Sequence, residues 1–203
     1  MKIFILTFIS LISIVSCSQK EDLSVKDSKA FQYKINLEYA DKKSSPLTDK
    51  DFIKFSSLDF FEINKELSVL ADFKRTPNEK PFKMLTTTSR LVKYVKFGEA
   101  HFKIKDKSFK LNIYQNQEII NKPEYKNHLF LPFTDLTNGK ESYGSGRYID
   151  LSQEDITKDN KIVINFNKAY NPYCAYNHKY SCPIPPKENF LAIEINAGVK
   201  KFH

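Results

Sequence analysis

From about residue 66 to residue 196 the chain runs in short stretches of alternating apolar and polar residues, with no long helical pattern between them. That restricts what it can become more than any other feature does. Val69, Ala71 and Phe73 alternate with Leu70 and Asp72, and Ala100, Phe102 and Ile104 alternate with His101, Lys103 and Lys105, each the period of a half-buried strand. HFKIKDKSFKLNIY, residues 101–114, predicts a hairpin that turns at Asp106-Lys107 and returns through Phe109, Leu111 and Ile113. Further strands are expected at 128–133, 147–151, 161–167 and 190–196. Strands joined by turns, without interposed helices, build antiparallel sheets rather than βαβ units. The expected class is therefore mainly β, an antiparallel sandwich or an open, barrel-like domain.

The N-terminal third departs from this pattern. MKIFILTFISLISIVSC has one early lysine and an apolar run from Ile3 to Val15, too short to span a bilayer comfortably, which reads as a removable signal peptide over residues 1–16. Ile14-Val15-Ser16-Cys17 resembles the lipobox of bacterial lipoproteins, which makes Cys17 an acylated membrane anchor. SQKEDL, directly after it, resembles the lysine-plus-acidic signal that sends some lipoproteins to the outer face of the outer membrane. Residues 17–29 are polar and charged, as in a flexible tether, with a single domain expected over 30–203. Phe31, Tyr33, Ile35, Leu37 and Tyr39 alternate as in a strand, yet Phe31, Ile35 and Tyr39 also sit at helical spacing. In SPLTDKDFIKF, Thr48 or Asp49 caps a short helix carrying Phe52, Ile53 and Phe55. The formal charge of +8 comes from lysines spread along the chain, with only Arg75, Arg90 and Arg147 as arginines, so a solvated surface rather than nucleic-acid binding is expected.

Two C-terminal stretches concentrate unusual residues. LPFTDLTNGKESYGSGRYIDL holds Gly139, Gly144 and Gly146, which either make two tight turns or form a loop whose amides and Arg147 meet an anion beside Tyr143. YNPYCAYNHKYSCPIPP, residues 170–186, spaces Cys174, His178 and Cys182 four apart. Zinc ligation needs a two-turn helix that Pro172 and Pro183 oppose, and a free thiolate is vulnerable to oxidation outside the cytosol. The expectation is a Cys174–Cys182 disulfide, with no metal and no cofactor.

PFTDLTNGKESYGSGRYIDL and INFNKAYNPYCAYNHKYSCPIPPKENFLAIEINAG, with support from SPLTDKDFIKFSSLDFF and TTTSRLVKYVKFGEAHF, resemble the family of the domain of unknown function 1684. Ser142 and Ser145 stand where the family has threonine and glycine, and Tyr173 where a second proline is common. The resemblance implies a mostly β domain with one or two short N-terminal helices, which turns residues 27–42 towards helix, and it implies no activity.

Two function classes follow. A binding module would hold an anionic or polar envelope ligand, a small molecule or a glycan, with Arg90, Tyr143, Arg147, Asn167, Tyr170 and Asn171 as contacts. A hydrolase would use His101 or His178 as base, oriented by Asp135 or Asp150. No nucleophile-elbow or zinc-protease motif is present in the sequence.

Overall fold

The computed structural model describes residues 22–203, so the stretch expected to be a signal peptide, Cys17 and the first residues of the expected tether lie outside the described residues. An eight-stranded, mostly antiparallel sheet curls into a half-barrel, the open alternative of the two expected. Its strands are β1 (Ser68–Arg75), β2 (Phe82–Leu85), β3 (Leu91–Ile104), β4 (Lys107–Asn116), β5 (His128–Asp135), β6 (Arg147–Ser152), β7 (Lys161–Asn165) and β8 (Phe190–Leu191). The order across the sheet is β6-β5-β4-β3-β1-β7; β2 also pairs with β3, and β8 lies parallel to the end of β5.

The β3–β4 hairpin forms one residue earlier than expected, since Ile104 pairs with Lys107 and the turn is Lys105-Asp106, with Lys105 at φ 53°. The predicted strand 161–167 ends at Asn165 because its side chain accepts from the Asn167 amide and starts a 3-10 turn. The predicted strand 190–196 shrinks to Phe190–Leu191, beyond which the chain turns inward and buries Ile195 and Ala197.

One face of the sheet is covered along its length, and the other only over β2, the first part of β3, the end of β4, β5 and β6. The concave face packs Val69, Ala71, Phe73, Leu111, Ile113, Leu131, Phe133 and Ile149 against Phe166, Ile195 and Ala197. The convex face buries Met84, Val92, Tyr94, Tyr114, Phe130 and Tyr148. One irregularity lets β3 serve both: the pairing with β4 shifts register between Lys96 and Gly98, so even-numbered residues face outwards at Val92 and Tyr94 and inwards at Ala100, Phe102 and Ile104. A Cβ at Gly98 would stand 2.4 Å from the Phe73 ring, so the bulge also requires glycine.

Helix α1 (Leu23–Ala40) is capped by Asp22, which accepts from the Ser24 amide at 2.9 Å. Residues 23–29, expected in the tether, are thus its first two turns, and Ser28 is buried where the Asn165 amide reaches it at 3.0 Å. The alternation at 31–39 resolves as helix because Ile35 and Tyr39 enter a third cluster with Leu47, Leu58, Tyr176 and Val199. Helix α2 (Asp49–Lys54) is capped by Thr48, the first of the two caps its sequence offers. Among the described residues no helix is long and apolar enough to cross a membrane.

Candidate functional site

On β5 and β6 the two faces of the sheet carry two polar clusters. Arg147 points inwards and is fully buried. Its Nη2 donates to Asp135 Oδ2 at 2.8 Å and to the Ile195 carbonyl at 2.8 Å, and its Nη1 donates to the Ala197 carbonyl. Asp135 Oδ1 accepts from the Thr137 amide at 2.9 Å, the Thr137 hydroxyl at 2.6 Å and the Ile195 amide at 3.2 Å. Burial lowers the Arg147 pKa, and Asp135 works against that shift. The glycines beside it make turns: Gly139 and Gly146 have φ +81° and +95°, and a Cβ on Gly146 would meet the Phe133 carbonyl at 2.6 Å. Of the two readings of this stretch, the tight turns are what forms, and with Arg147 they make a closed clamp joining the end of β5, the start of β6 and the C-terminal segment. Its arginine cannot reach a ligand from solvent, and Asp135 cannot orient a catalytic histidine.

Other expected contacts are structural too. Asn167 is buried, accepting from the Asn64 amide at 2.8 Å and donating to the Asn64 carbonyl at 2.9 Å. Buried Asn171 donates to the Lys200 carbonyl at 2.8 Å. Arg90 is exposed and reaches Ser181, donating to its carbonyl at 2.8 Å, so it fastens the β2–β3 turn to the cysteine segment. His178 is exposed, and His101 lies on the sheet surface with its Nε2 3.1 Å from Glu99; neither lines the cavity described below.

The expected disulfide is not formed either. Cys174 and Cys182 are buried free thiols, and the Cys174 amide donates to Cys182 Sγ at 3.2 Å. The 3-10 turn at Tyr173–Ala175 thus brings the Cys174 amide onto the Cys182 sulfur, with no covalent bond between the two thiols. The bond from Cys182 lowers the Cys174 pKa and raises that of Cys182, and the Tyr143 hydroxyl, 3.8 Å from Cys174 Sγ, also favours the Cys174 thiolate.

The outward side chains of the same strands form an open site. His128 and Phe130 on β5 share a face with Tyr148 and Asp150 on β6, because Phe130 pairs with Asp150 and His128 with Ser152. Tyr170 joins them through a two-way backbone bridge to Tyr148, of 2.9 and 3.0 Å. Asp150 then accepts from both sides: His128 Nε2 lies 2.9 Å from Oδ1, and the Tyr170 hydroxyl donates to Oδ2 at 2.8 Å. His128 Nδ1 is buried without a partner. Burial, then the Asp150 charge, raises the Tyr170 pKa well above its ordinary value, so this hydroxyl stays a donor.

Above this triad lies a cavity of about 570 Å³ between the convex face, α1 and the cysteine segment. Seven of the eleven tyrosines line it, with Phe31, Phe130, Cys182 and Pro183. The rings brace one another: Phe130 meets Tyr148 edge-on at 4.7 Å, and Tyr148 meets Tyr170 at 5.8 Å. Lys34, Glu38, Lys168 and the triad supply charge of both signs. Of the site candidates singled out in the sequence, Tyr170, Asp150 and Cys182 reach this cavity, whereas Tyr143, in contact with Cys174, does not line it. His128 went unnoticed. The outward positions 128, 130, 148 and 150 reveal it only once β5 and β6 are paired in register.

A curled antiparallel half-barrel carrying an aromatic-walled cavity on its convex face is thus the class of domain defined here. The profile of the family described as protein of unknown function DUF1684 matches residues 53–200, and the chain belongs to that family. It is also similar to the uncharacterized protein from gene locus rrnAC0354 of Haloarcula marismortui, solved by solution NMR, at 27% identity and a TM-score of 0.68, covering 87% of this chain and 93% of that one. Among curated proteins none matches the chain.

Proposed function

We propose that the protein is an envelope lipoprotein, anchored through Cys17, that binds a small polar ligand with an apolar face in the tyrosine-lined cavity. The observation that carries the binding reading is the triad His128–Asp150–Tyr170 at a cavity otherwise walled by rings. Stacked rings offer flat apolar surface, while Asp150 and His128 offer directional hydrogen bonding, and lysines beside carboxylates disfavour a ligand of strong net charge. A saccharide meets all three conditions, with C–H faces for the rings and hydroxyls for Asp150. No arginine lines this cavity, so the ligand class shifts from anionic to polar.

The chain has no tryptophan, so its intrinsic emission comes from tyrosine and reports directly on the cavity. Soluble oligosaccharides titrated into the wild type should change that emission and raise the melting temperature. Asp150→Ala should weaken binding about tenfold or more, in line with a lost charged hydrogen bond. A sugar that binds both proteins equally would remove the triad from the site, and no response to any sugar would remove the saccharide reading. The alternative, a hydrolase, is favoured by one observation, the His128–Asp150 pair. Mass spectrometry of the recovered oligosaccharide separates the two, since binding alone returns it intact.

A further inference from the structure

Helix α1 is apolar on two opposite sides, and the domain uses one. Ser28, Ile35 and Tyr39 turn into the protein, whereas Leu23, Tyr33 and Leu37 are 80%, 69% and 53% exposed on the other side. Lys26, Lys29, Ala30, Lys34 and Ala40 complete that outer face. The helix's own carboxylates are turned elsewhere: Asp27 pairs with Lys168 at 3.0 Å, and Glu38 accepts from the Tyr173 hydroxyl at 2.6 Å. A helix covering a core needs one apolar stripe; a second, exposed and set among lysines, has the chemistry of a helix lying in the headgroup layer of an anionic bilayer.

The chain places this face beside such a layer. Cys17 precedes Leu23 by six residues, which reach at most about 20 Å when fully extended. We infer that the outer face of α1, through Tyr33, Leu37 and its lysines, seats the domain on the anionic surface of the membrane that holds the Cys17 lipid. This rests on the anchoring reading above. A short tether keeps the face at high local concentration near the lipid, so a few weak contacts suffice to dock it. Because Phe31, Lys34, Ile35 and Glu38 of the same helix also line the cavity, seated α1 becomes the wall shared by bilayer and binding site.

The test uses the full lipoprotein, produced with its signal, in vesicles of phosphatidylethanolamine and phosphatidylglycerol. Leu37→Cys carries an environment-sensitive fluorophore, and Val163→Cys, half-exposed on β7, carries the same probe as control. The native thiols at 174 and 182 are buried and spared. A blue shift and quenching by spin-labelled lipid at position 37 but not at 163 is expected. Replacing phosphatidylglycerol by phosphatidylcholine should reverse it, and Lys26→Glu should lower the ratio of seated to free domain about fivefold. Aqueous emission at both positions, with lipid present on Cys17, overturns the inference. If fatty-acid labelling finds no lipid on Cys17, the anchoring reading falls by itself. Vesicles added from outside then decide the face: a shift at position 37 that needs phosphatidylglycerol keeps it, and none overturns it.

Discussion

Arg147 and Tyr148 are neighbours on one strand, yet they serve polar clusters of opposite kind. The inner one, Arg147 with Asp135 and Thr137, is sealed, and among the guanidinium nitrogens only Nε lacks a partner. The outer one, His128 with Asp150 and Tyr170, opens into a cavity, where Asp150 is half-exposed and His128 Nδ1 has no protein partner. A one-residue step along a strand separates the two because successive side chains point to opposite faces. Charge inside a closed core must be answered by the protein itself, whereas charge facing a cavity can be left for a ligand to answer. An arginine beside glycines is therefore no sign of a binding loop until its face of the sheet is known.

The largest expected effect breaks the inner cluster. Arg147→Met leaves the Asp135 carboxylate buried beside two carbonyls that have lost their donors, and should cost about 3–5 kcal/mol in urea unfolding. Arg147→Lys should also be costly, because an ammonium cannot reach Asp135 and the Ile195 and Ala197 carbonyls with the same fork. A change within about 0.5 kcal/mol, ordinary for a surface site, would undo the distinction between the clusters.

An intermediate effect tests the outer cluster. Tyr170→Phe removes one hydroxyl from Asp150, which still has His128 and solvent, and should cost no more than about 0.5–1.5 kcal/mol. The tyrosine emission response to a bound sugar should fall by far more than this loss suggests. A stability loss rivalling that of Arg147→Met would make the triad a second structural clamp.

The strands and their class were legible because alternation survives wherever one face is wet, as in β1 and the β3–β4 hairpin. The bulge at Gly98 was not: it reverses which parity faces inwards, and nothing in a run of alternating residues marks where such a slip falls. The first turns of α1 hid among polar residues because most of their side chains face solvent and only Ser28 is buried. Site residues were harder still. Arg147, Asn167 and Asn171 look functional in a sequence for the reason they matter structurally, since buried polar groups in turns must each find a partner. His128 looked ordinary because its carboxylate comes from a residue 22 positions away.

A third cluster shows whether enclosure, rather than charge alone, sets the size of these effects. On the sheet surface Glu99 meets Lys96, His101 and Lys110 at 3.4, 3.1 and 3.3 Å. Burial opposes its charge, but hydrogen bonds from His101 and Lys110 outweigh that and hold its pKa below the ordinary glutamate value. A pKa lower in the folded than in the unfolded chain contributes stability above the unfolded value, near pH 4.3, and that contribution disappears as pH falls through the folded value. Glu99→Gln should therefore cost less than about 1 kcal/mol at neutral pH, shrink in high salt, and converge on the wild type in acid. Paired urea titrations at neutral and acid pH measure this. A cost equal to that of Arg147→Met would mean that the number of charged partners, not their exclusion from water, governs all three clusters. A small, salt-sensitive cost that vanishes in acid would leave closure as the variable that separates the arginine on the concave face from the triad on the convex one.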